Sequence, residues 1–299
     1  MKEKSFLLLI LLCVIILSQG CGIGGYHFAI YKTQFPYSGK FKNSIGLNLA
    51  YRIRFPYQKI GNSNKLPLFL YIDGSGPFPI DMAKDDILCH YQSKGFVAAM
   101  KQKRGVAPSE GNFSNLTFEE RIHDNFDFLN YLLQQYPIIN PKQVYIMGHS
   151  EGAKIAGTVA YRYEKTAGLI WTSSCLDEDF FDLIISRHPE NRKTLIEEIR
   201  DGKNIQGKWQ YYSRKWWHQH FNHTHIQELM DLSCPIIFLI GDKDDAYLSL
   251  QKRFNEMITK DKQKISLFII RSVGHGTIAP IHQESLIFTI DKWLENISE

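Results

Sequence analysis

Apolar positions along the chain fall into short runs of strand length, separated by stretches of helical period. Runs rich in β-branched and aromatic residues are typical of strands. They predict strands over Tyr26–Thr33, Gly46–Phe55, Leu66–Ile72, Phe96–Met100, Val144–Met147, Leu169–Thr172, Ile236–Ile240 and Ile265–Ile270.

Amphipathic segments lie between these runs. From Phe118 to Gln135 the apolar residues recur on one stripe, which predicts a helix. Similar spacing predicts helices over Ile80–Tyr91, Glu151–Tyr161 and Ile281–Leu294. Strands that alternate with helices indicate an α/β protein whose central sheet is mostly parallel and covered by helices on both faces.

One long segment interrupts this alternation. From Leu176 to Asp231 there is no good strand, and the composition shifts to charged and aromatic residues. The aromatic residues concentrate at Trp209, Tyr211, Tyr212, Trp216 and Trp217. We expect a helical cap over residues 176–233, inserted between two core segments at 21–175 and 234–299. The rings either line a pocket mouth or attach the cap to the core.

The first twenty residues have the features of a secretory signal. Lys2 and Lys4 precede an apolar run from Phe6 to Leu17, which is too short to span a bilayer comfortably. Residues 17–21 resemble the processing site of bacterial lipoproteins, in which Cys21 would carry the lipid. The sequence therefore predicts an exported protein attached to a membrane through Cys21, with a soluble secreted protein or an uncleaved anchor as alternatives.

Composition excludes several function classes. With 44% hydrophobic and 22% charged residues, the chain has ordinary globular usage, unlike disordered or collagen-like sequences. A net charge of +4, with no basic cluster or recognition motif, argues against nucleic acid as a partner. No C-x-x-C spacing is present to hold a metal, and we expect neither a metal nor a cofactor.

The candidate nucleophile lies in Gly148-His149-Ser150-Glu151-Gly152, which matches G-x-S-x-G between a predicted strand and a predicted helix. A tight strand-to-helix turn forces the serine into a strained conformation and leaves no room for side chains at the two glycines. The turn exposes the Ser150 hydroxyl, and the following helix directs its amide dipoles towards developing negative charge. Ser150 is therefore the expected nucleophile.

A serine hydroxyl needs a base, and the base needs an acid that orients it. His275, flanked by glycines after the last predicted strand, is the expected base, with His282 in the terminal helix as second choice. The acid should follow the strand Ile236–Ile240, where three carboxylates occur. Asp244 is preferred there, with Asp242 and Asp245 as alternatives.

An oxyanion formed during acyl transfer needs two backbone donors. The amide of Glu151, which follows the nucleophile, is one candidate. The loop after Leu66–Ile72 supplies the other, because Gly74-Ser75-Gly76 lets the backbone approach a ligand closely. Ser75 is the preferred donor and Gly76 the alternative.

These motifs together resemble the α/β-hydrolase superfamily, and in particular its capped bacterial esterases and serine peptidases. The resemblance covers most of the chain and rests on Asp73-Gly74-Ser75-Gly76, Lys103–Ser109, the Ser150 turn, Gly241-Asp242-Lys243-Asp244 and Gly274-His275-Gly276. It implies acyl transfer to water. In that family the acid usually stands three places after the glycine that ends its strand, which selects Asp244.

Two further features invite functional interpretations. His218, His220, His223 and His225 could suggest a metal site, but their spacing lacks the H-E-x-x-H pattern. We expect polar rings on the surface of the cap instead. The Glu151 carboxylate could contact a substrate amine, but a solvent-facing glutamate in the first helical turn is the preferred expectation.

The sequence thus predicts a serine hydrolase that cleaves a carboxylic ester through Ser150, His275 and Asp244, with a covalent acyl-enzyme. The nearest alternative is a thioesterase of the same fold, or a peptidase that acts on a peptide-like rather than a small ester substrate. A hydrolase-fold protein that binds without catalysis is the competing class, although all three residue types occur in the expected order.

Overall fold

The computed structural model describes residues 37–57, 65–80, 82–258 and 265–297. The predicted signal sequence, Cys21 and the predicted strand Tyr26–Thr33 lie outside the described residues. The other predicted strands and helices are present. Leu66–Ile72, Phe118–Gln135 and Ile265–Ile270 have the predicted bounds, and the ends of the others differ. Among the described helices, none combines the length and the hydropathy that crossing a bilayer requires.

Eight strands of the described chain form one mixed sheet, in the order β1-β2-β4-β3-β5-β6-β9-β10. Strand β2 is antiparallel to β1 and β4, and the other neighbours are parallel. The strands are β1 Gly39–Lys42, β2 Asn48–Arg54, β3 Leu66–Ile72, β4 Val97–Lys101, β5 Ile139–His149, β6 Thr166–Thr172, β9 Ile236–Gly241 and β10 Ile265–Ile270. The expected α/β architecture with a mostly parallel sheet is confirmed.

Helices cover both faces of this sheet. The helices are α1 Met82–Ser93, α2 Phe118–Gln135, α3 Glu151–Arg162, α4 Asp177–Ser186, α5 Glu190–Arg200, α6 Arg214–Asn222, α7 His225–Asp231, α8 Tyr247–Ile258 and α9 Pro280–Ile297. Side chains of α1 and α9 share one buried cluster with Phe69 and Tyr71 of β3. Side chains of α2 and α3 share the other with Leu68 and Leu70. Alternate residues of β3 therefore face opposite layers, as strand geometry requires.

The segment between β6 and β9 contains helices α4 to α7 and a short hairpin. The hairpin pairs β7 Lys208–Trp209 with β8 Tyr212–Ser213, so the expectation of no strand in this segment is wrong. Trp209, Tyr212, Trp216 and Trp217 are buried, whereas Tyr211 is 57% exposed. Most of the aromatic residues are thus buried in the same hydrophobic cluster as the side chains of α2 and α3, and they attach this segment to the rest of the protein. Its assignment as a cap separate from the core stays a prediction.

Register places the ends of five strands, β3, β5, β6, β9 and β10, side by side. Ile72, the last residue of β3, pairs with Gly148 of β5, and Gly241 of β9 pairs with Ile270 of β10. His149 at the end of β5 pairs with Thr172 of β6. Because carboxyl ends of parallel strands meet at one edge, the loops that follow β3, β5, β9 and β10 converge there.

Candidate active site

Ser150 occupies the turn between β5 and α3 with φ 55° and ψ −126°, a conformation that is unfavourable for a residue with a side chain. A Cβ atom at Gly148 would lie 2.2 Å from the Gly152 carbonyl oxygen, and one at Gly152 would lie 2.2 Å from that of Ile72. Both contacts are with backbone, so no rotamer change relieves them. The strained serine and the steric need for both glycines, expected from the motif, are therefore confirmed.

The structure brings Ser150, His275 and Asp244 together. His275 Nε2 lies 2.8 Å from Ser150 Oγ, and its Nδ1 lies 2.9 Å from Asp244 Oδ2. Asp244 is buried, and its other oxygen accepts a hydrogen bond of 3.0 Å from the Ala246 amide. Burial raises the pKa of the Asp244 carboxyl, but the hydrogen bond and charge of His275 outweigh it, so the pKa lies below its ordinary value. Asp244 is thus an ionised acceptor for the imidazole N–H.

The two other candidate acids are engaged elsewhere. Asp242 Oδ1 accepts a hydrogen bond of 2.7 Å from the Ser272 amide, which joins the turns after β9 and β10. Asp245 is exposed and forms an ion pair with Arg187. His282, the second candidate base, lies in α9. Of the candidate acids and bases, Asp244 and His275 are therefore the two that the structure joins to Ser150 by hydrogen bonds.

The loop after β3 packs directly against the Ser150 turn. A Cβ atom at Gly74 would lie 3.3 Å from Ser150 Cβ, which shows how closely the two chains approach. The Gly76 amide donates a hydrogen bond of 2.9 Å to the Tyr212 hydroxyl and is therefore occupied. By contrast, the amides of Ser75 and Glu151 donate to no other residue in the described part of the chain. This pair of amides remains available for an oxyanion.

The Glu151 side chain does not face solvent, so that expectation is wrong. Glu151 is buried and forms an ion pair with Arg121 of α2. Its other carboxylate oxygen accepts a hydrogen bond of 2.7 Å from the Tyr212 hydroxyl. Since both oxygens have protein partners, the structure also contradicts the alternative in which Glu151 is available to a substrate amine. The helix N-terminus stabilises the negative charge of Glu151, and the ion pair with Arg121 directs its side chain into the protein interior.

Arg121 connects the loop after β3 with the start of α3. Its Nη2 donates hydrogen bonds of 2.5 Å and 2.8 Å to the carbonyl oxygens of Asp73 and Gly74. The same guanidinium holds Glu151, so it clamps the loop after β3 against the start of α3. Tyr212 adds a second link, because its hydroxyl contacts both Glu151 and the Gly76 amide. These contacts fix the relative position of the Ser75 and Glu151 amides.

The Asp73 carboxylate is held by two lysines. Lys103 Nζ lies 2.5 Å and Lys84 Nζ lies 3.3 Å from Asp73 Oδ2. Burial raises the pKa of the Asp73 carboxyl, but the two lysines outweigh burial and hold it well below its ordinary range. Burial lowers the pKa of Lys103 to about 7, with Asp73 opposing that effect. Asp73 therefore serves as a fixed anion that pins the loop.

A cavity of about 350 Å³ opens beside the nucleophile. Ser75, Ser150, Glu151 and His275 line it on the core side. The opposite wall comes from the segment between β6 and β9. Its apolar and aromatic members are Cys175, Phe180, Leu183, Ile184, Tyr211, Tyr212, Trp216 and Trp217, and Arg187 of this segment and Lys154 of α3 also line the cavity. Tyr212, Trp216 and Trp217 thus serve in both ways considered from the sequence, since they line the cavity and also pack in the hydrophobic cluster that includes α2 and α3.

The histidine cluster lies partly in the protein interior, which corrects the surface interpretation. His220 and His225 are buried, and His218 and His223 are half-buried. The His220 ring stacks on Phe118 and Phe180 at centroid distances of 4.5 Å and 4.1 Å. No group of His, Cys, Asp or Glu side chains in the described residues could hold a metal ion. His220, His223 and His225 belong to an aromatic cluster, whereas His218 Nδ1 lies 3.0 Å from the Ile199 carbonyl oxygen.

Sequence reasoning missed Arg121 and Tyr212. A signal for Arg121 was present, because Arg121, Asn125 and Phe128 have helical spacing and all three are buried. A cation on the buried stripe of a helix indicates a buried partner. Nothing local could have identified that partner as Glu151, which lies in another helix.

Comparison with known proteins agrees with this architecture. Residues 87–299 match the model of the prolyl oligopeptidase family. No curated protein matches the chain. Among solved structures, it is similar to the α/β hydrolase GrgF from Penicillium sp. sh18, at 15% identity and a TM-score of 0.64, with 89% of this chain and 100% of that chain covered.

Two other solved structures have the same fold. Est1E from Butyrivibrio proteoclasticus, solved with ferulic acid bound, gives 16% identity and a TM-score of 0.63 over 86% of this chain and 99% of that chain. The Pyrococcus horikoshii acylaminoacyl peptidase gives 14% identity and a TM-score of 0.58 over 84% of this chain and 40% of that chain. At these identities the similarity establishes the α/β-hydrolase fold alone. The family model, however, spans more than half of the chain, which therefore belongs to the prolyl oligopeptidase family.

Proposed function

We propose that the protein is an exported serine hydrolase that cleaves carboxylic esters through a covalent acyl-enzyme. The observation that carries this proposal is the hydrogen-bonded series from Ser150 Oγ through His275 to Asp244, at 2.8 Å and 2.9 Å. The cavity beside Ser150 gives a substrate access to the nucleophile. The family match and the esterase fold neighbours support a hydrolase of this kind.

In the proposed reaction, Ser150 Oγ attacks the carbonyl carbon while His275 Nε2 takes the hydroxyl proton. Asp244 accepts the Nδ1–H hydrogen bond and stabilises the imidazolium that forms. The Ser75 and Glu151 amides donate to the oxyanion of the tetrahedral intermediate. His275 then protonates the leaving alcohol, and the acyl group stays on Ser150 as an ester. Water attacks this ester by the same sequence of proton transfers and releases the acid.

Peptide cleavage is the second candidate, and the family match favours it specifically. The acylaminoacyl peptidase among the fold neighbours points the same way. Against it, the acidic residue beside the nucleophile is unavailable to a substrate amine, since Arg121 and Tyr212 occupy Glu151. The apolar and aromatic side chains of the cavity wall, which also includes Lys154 and Arg187, suit an apolar acyl group. We therefore rank ester cleavage first.

The deciding experiment compares p-nitrophenyl esters of increasing acyl length with peptide p-nitroanilides, using the chain without residues 1–20. Ser150→Ala should lower ester turnover by about 10⁴-fold or more. Faster cleavage of anilides than of esters would favour the peptidase. Absence of both activities, together with no labelling of Ser150 by a fluorophosphonate, would leave the non-catalytic binding protein.

Export and lipid attachment at Cys21 belong to the same proposal and rest on the amino-terminal sequence. Expression of the full chain in a bacterial host tests them. Recovery in the membrane fraction that Cys21→Ser shifts to a soluble fraction would support the lipid anchor. Equal fractionation of both forms would contradict it.

A further inference from the structure

The end of β6 contributes no member of the Ser150 triad, yet it contacts the loops that carry the nucleophile and the base. The Ser150 amide donates a hydrogen bond of 2.9 Å to the Thr172 carbonyl oxygen. The next residue, Ser173, donates from its own amide to the Leu239 carbonyl oxygen of β9, also at 2.9 Å. Ser173 is thus fixed by β9, directly beside the residue that anchors the nucleophile.

The Ser173 side chain reaches the loop that carries the base. Ser173 Oγ lies 2.7 Å from Thr277 Oγ1, and both residues are 0% exposed. Thr277 follows His275 by two places, so this hydrogen bond joins the end of β6 to the carboxyl side of the base, across 104 positions of sequence. Because water does not reach either hydroxyl, neither can exchange its partner for solvent, and the contact fixes both side chains.

On the amino side of His275 the loop is held through its backbone. The Lys243 amide donates a hydrogen bond of 2.9 Å to the Val273 carbonyl oxygen, and a Cβ atom at Gly241 would lie 2.0 Å from the same oxygen. In the part of the chain that the structure describes, the amides of residues 274–276 donate to no other backbone group. The carboxyl side of this stretch is fixed to the core by the Thr277 side chain.

Ser173 adopts a backbone conformation that would suit glycine better. Its φ is 49°, in the left-handed region that is unfavourable for most residues with a side chain. Replacing two hydrogen-bonded hydroxyls by apolar groups of the same shape is nearly neutral for stability. Glycine at 173 with valine at 277 would therefore satisfy the fold, so the presence of a serine indicates that its hydroxyl serves the loop that it contacts.

We propose that Ser173 and Thr277 are positioning residues, whose hydrogen bond holds the His275 loop so that Nε2 stays 2.8 Å from Ser150 Oγ. Because Thr172 anchors the Ser150 amide, the end of β6 is a common reference for the nucleophile and the base. Ser173 borders the cavity, but its hydroxyl is bonded to Thr277, so its role is indirect. The inference concerns any acyl transfer at Ser150, and it rests on the proposed function only where ester turnover is measured.

Thr277→Val tests this role, because valine keeps the shape of the side chain and removes the hydroxyl. It should lower the kcat of ester hydrolysis by about 10–100-fold and leave KM within about twofold, since a displaced base affects the chemical step more than substrate binding. Thr277→Ser keeps the hydroxyl, so its kcat should stay within about threefold of the wild-type value. A change of KM with an unchanged kcat would contradict the role.

Ser173→Gly is the second variant, because glycine accepts a φ of 49° and only the hydroxyl is lost. It should lower kcat about as much as Thr277→Val does. The double variant should lower kcat no further than either single variant, because the same hydrogen bond is lost in each case. Thermal unfolding checks that each variant is folded, and Ser173→Gly carries the test if Thr277→Val is not.

Thr166→Val is the matched control. Thr166 is buried at the opposite end of β6, and its hydroxyl donates a hydrogen bond of 2.8 Å to the Tyr163 carbonyl oxygen. The same substitution there also removes a buried hydroxyl, but it lies away from the edge of the sheet that carries the triad. It should lower the Tm and leave kcat unchanged.

Two further readouts do not depend on ester turnover. Labelling of Ser150 by a fluorophosphonate needs His275 to take the serine proton, so its rate should fall in Thr277→Val and not in Thr166→Val. The Nδ1 proton of His275, which lies in the hydrogen bond to Asp244, gives a low-field NMR resonance that His275→Ala identifies. In Thr277→Val this proton should exchange faster with water, and its resonance should broaden.

These readouts separate the inference from the proposed function. If the wild-type protein hydrolyses no ester, the proposed function fails, and a labelling rate at least about fivefold lower in Thr277→Val but not in Thr277→Ser still supports the inference. If the wild-type protein is not labelled either, a broadened His275 resonance in Thr277→Val supports it and an unchanged resonance overturns it. A smaller loss of labelling in Thr277→Val, or an equal loss in Thr277→Ser or Thr166→Val, would also overturn it.

Discussion

Replacing Glu151 by alanine would leave the Arg121 guanidinium buried without a carboxylate. The two side chains are 2% and 4% exposed, so neither charge can recover its hydration in the folded protein. Removal of one partner of a buried ion pair typically destabilises a protein by about 3–5 kcal/mol. Arg121 would keep its hydrogen bonds to the Asp73 and Gly74 carbonyls, which places the expected loss near the lower limit, at about 3 kcal/mol.

Urea unfolding followed by tryptophan fluorescence measures this loss directly. Thermal unfolding gives a second reading, because a domain of this size loses roughly 2–4 °C in Tm for each kcal/mol. We therefore expect Tm to fall by about 6–12 °C in Glu151→Ala. Asp245→Ala is the control, since it breaks an exposed ion pair with Arg187 and should lower stability by at most about 1 kcal/mol.

A double variant distinguishes the lost pairing from the lost side-chain volume. Arg121→Met combined with Glu151→Leu removes both charges and keeps apolar bulk, so most of the stability should return. Ester turnover should be lower than in the wild type in this double variant, because the Arg121 link between the Ser75 loop and α3 is lost and only Tyr212 and Asp73 still hold that loop. A loss below about 1 kcal/mol in Glu151→Ala would refute the reasoning, since it would mean that Arg121 finds water or another partner easily.

Three other predictions concern the site. Asp244→Asn should lower the kcat of ester hydrolysis by about 10⁴-fold. Asp242→Asn should change kcat only a few-fold, because its side-chain oxygen can still accept the hydrogen bond from the Ser272 amide. Comparable losses in the two variants would contradict the assignment of Asp244 as the acid that orients His275. Gly152→Ala should lower the free energy of unfolding in urea by about 3 kcal/mol, because the new Cβ atom would clash with backbone. In the control Gly46→Ala the loss should be about 1–2 kcal/mol, because only the positive φ is unfavourable there. Equal losses in the two variants would argue against the steric explanation. Burial and the charge of His275 lower the pKa of His149 to about 3, so the folded protein binds this proton less readily than the unfolded chain. The contribution of His149 to the free energy of unfolding should therefore be fully present above about pH 6.5 and fall towards pH 3 by at most about 1.4 kcal/mol per pH unit. If the free energy of unfolding of His149→Gln falls with pH as steeply as that of the wild type, this prediction is wrong.

Much of the fold and of the candidate triad could be predicted because the relevant signals are local. The strand-turn-helix pattern around Ser150 depends on residues adjacent in the chain, and steric limits at Gly148 and Gly152 follow from their own backbone. His275 could be placed because a parallel sheet brings the ends of its strands to one edge. The short hairpin at Lys208–Ser213 was not predicted, because its strands have two residues each, which is too few to show an alternation of apolar and polar positions.

The sequence by itself thus determined the α/β class, the order of its elements and the edge of the sheet at which the candidate nucleophile and base would meet. It preferred Asp244 but left Asp242 and Asp245 open, because one or two residues along a turn reverse the direction of a side chain. Only the tertiary structure decided that choice, through the 2.9 Å contact between Asp244 and His275.

The same holds for buried side chains whose partners are distant in sequence. Glu151 meets Arg121 from another helix and Tyr212 from the hairpin, and His220 is enclosed by rings from α2 and α4. The sequence of a helix does not show which distant residues will pack against a charged or aromatic side chain on that helix. Burial and charge pairing are properties of the assembled layers, and for this reason they were decided by the tertiary structure alone.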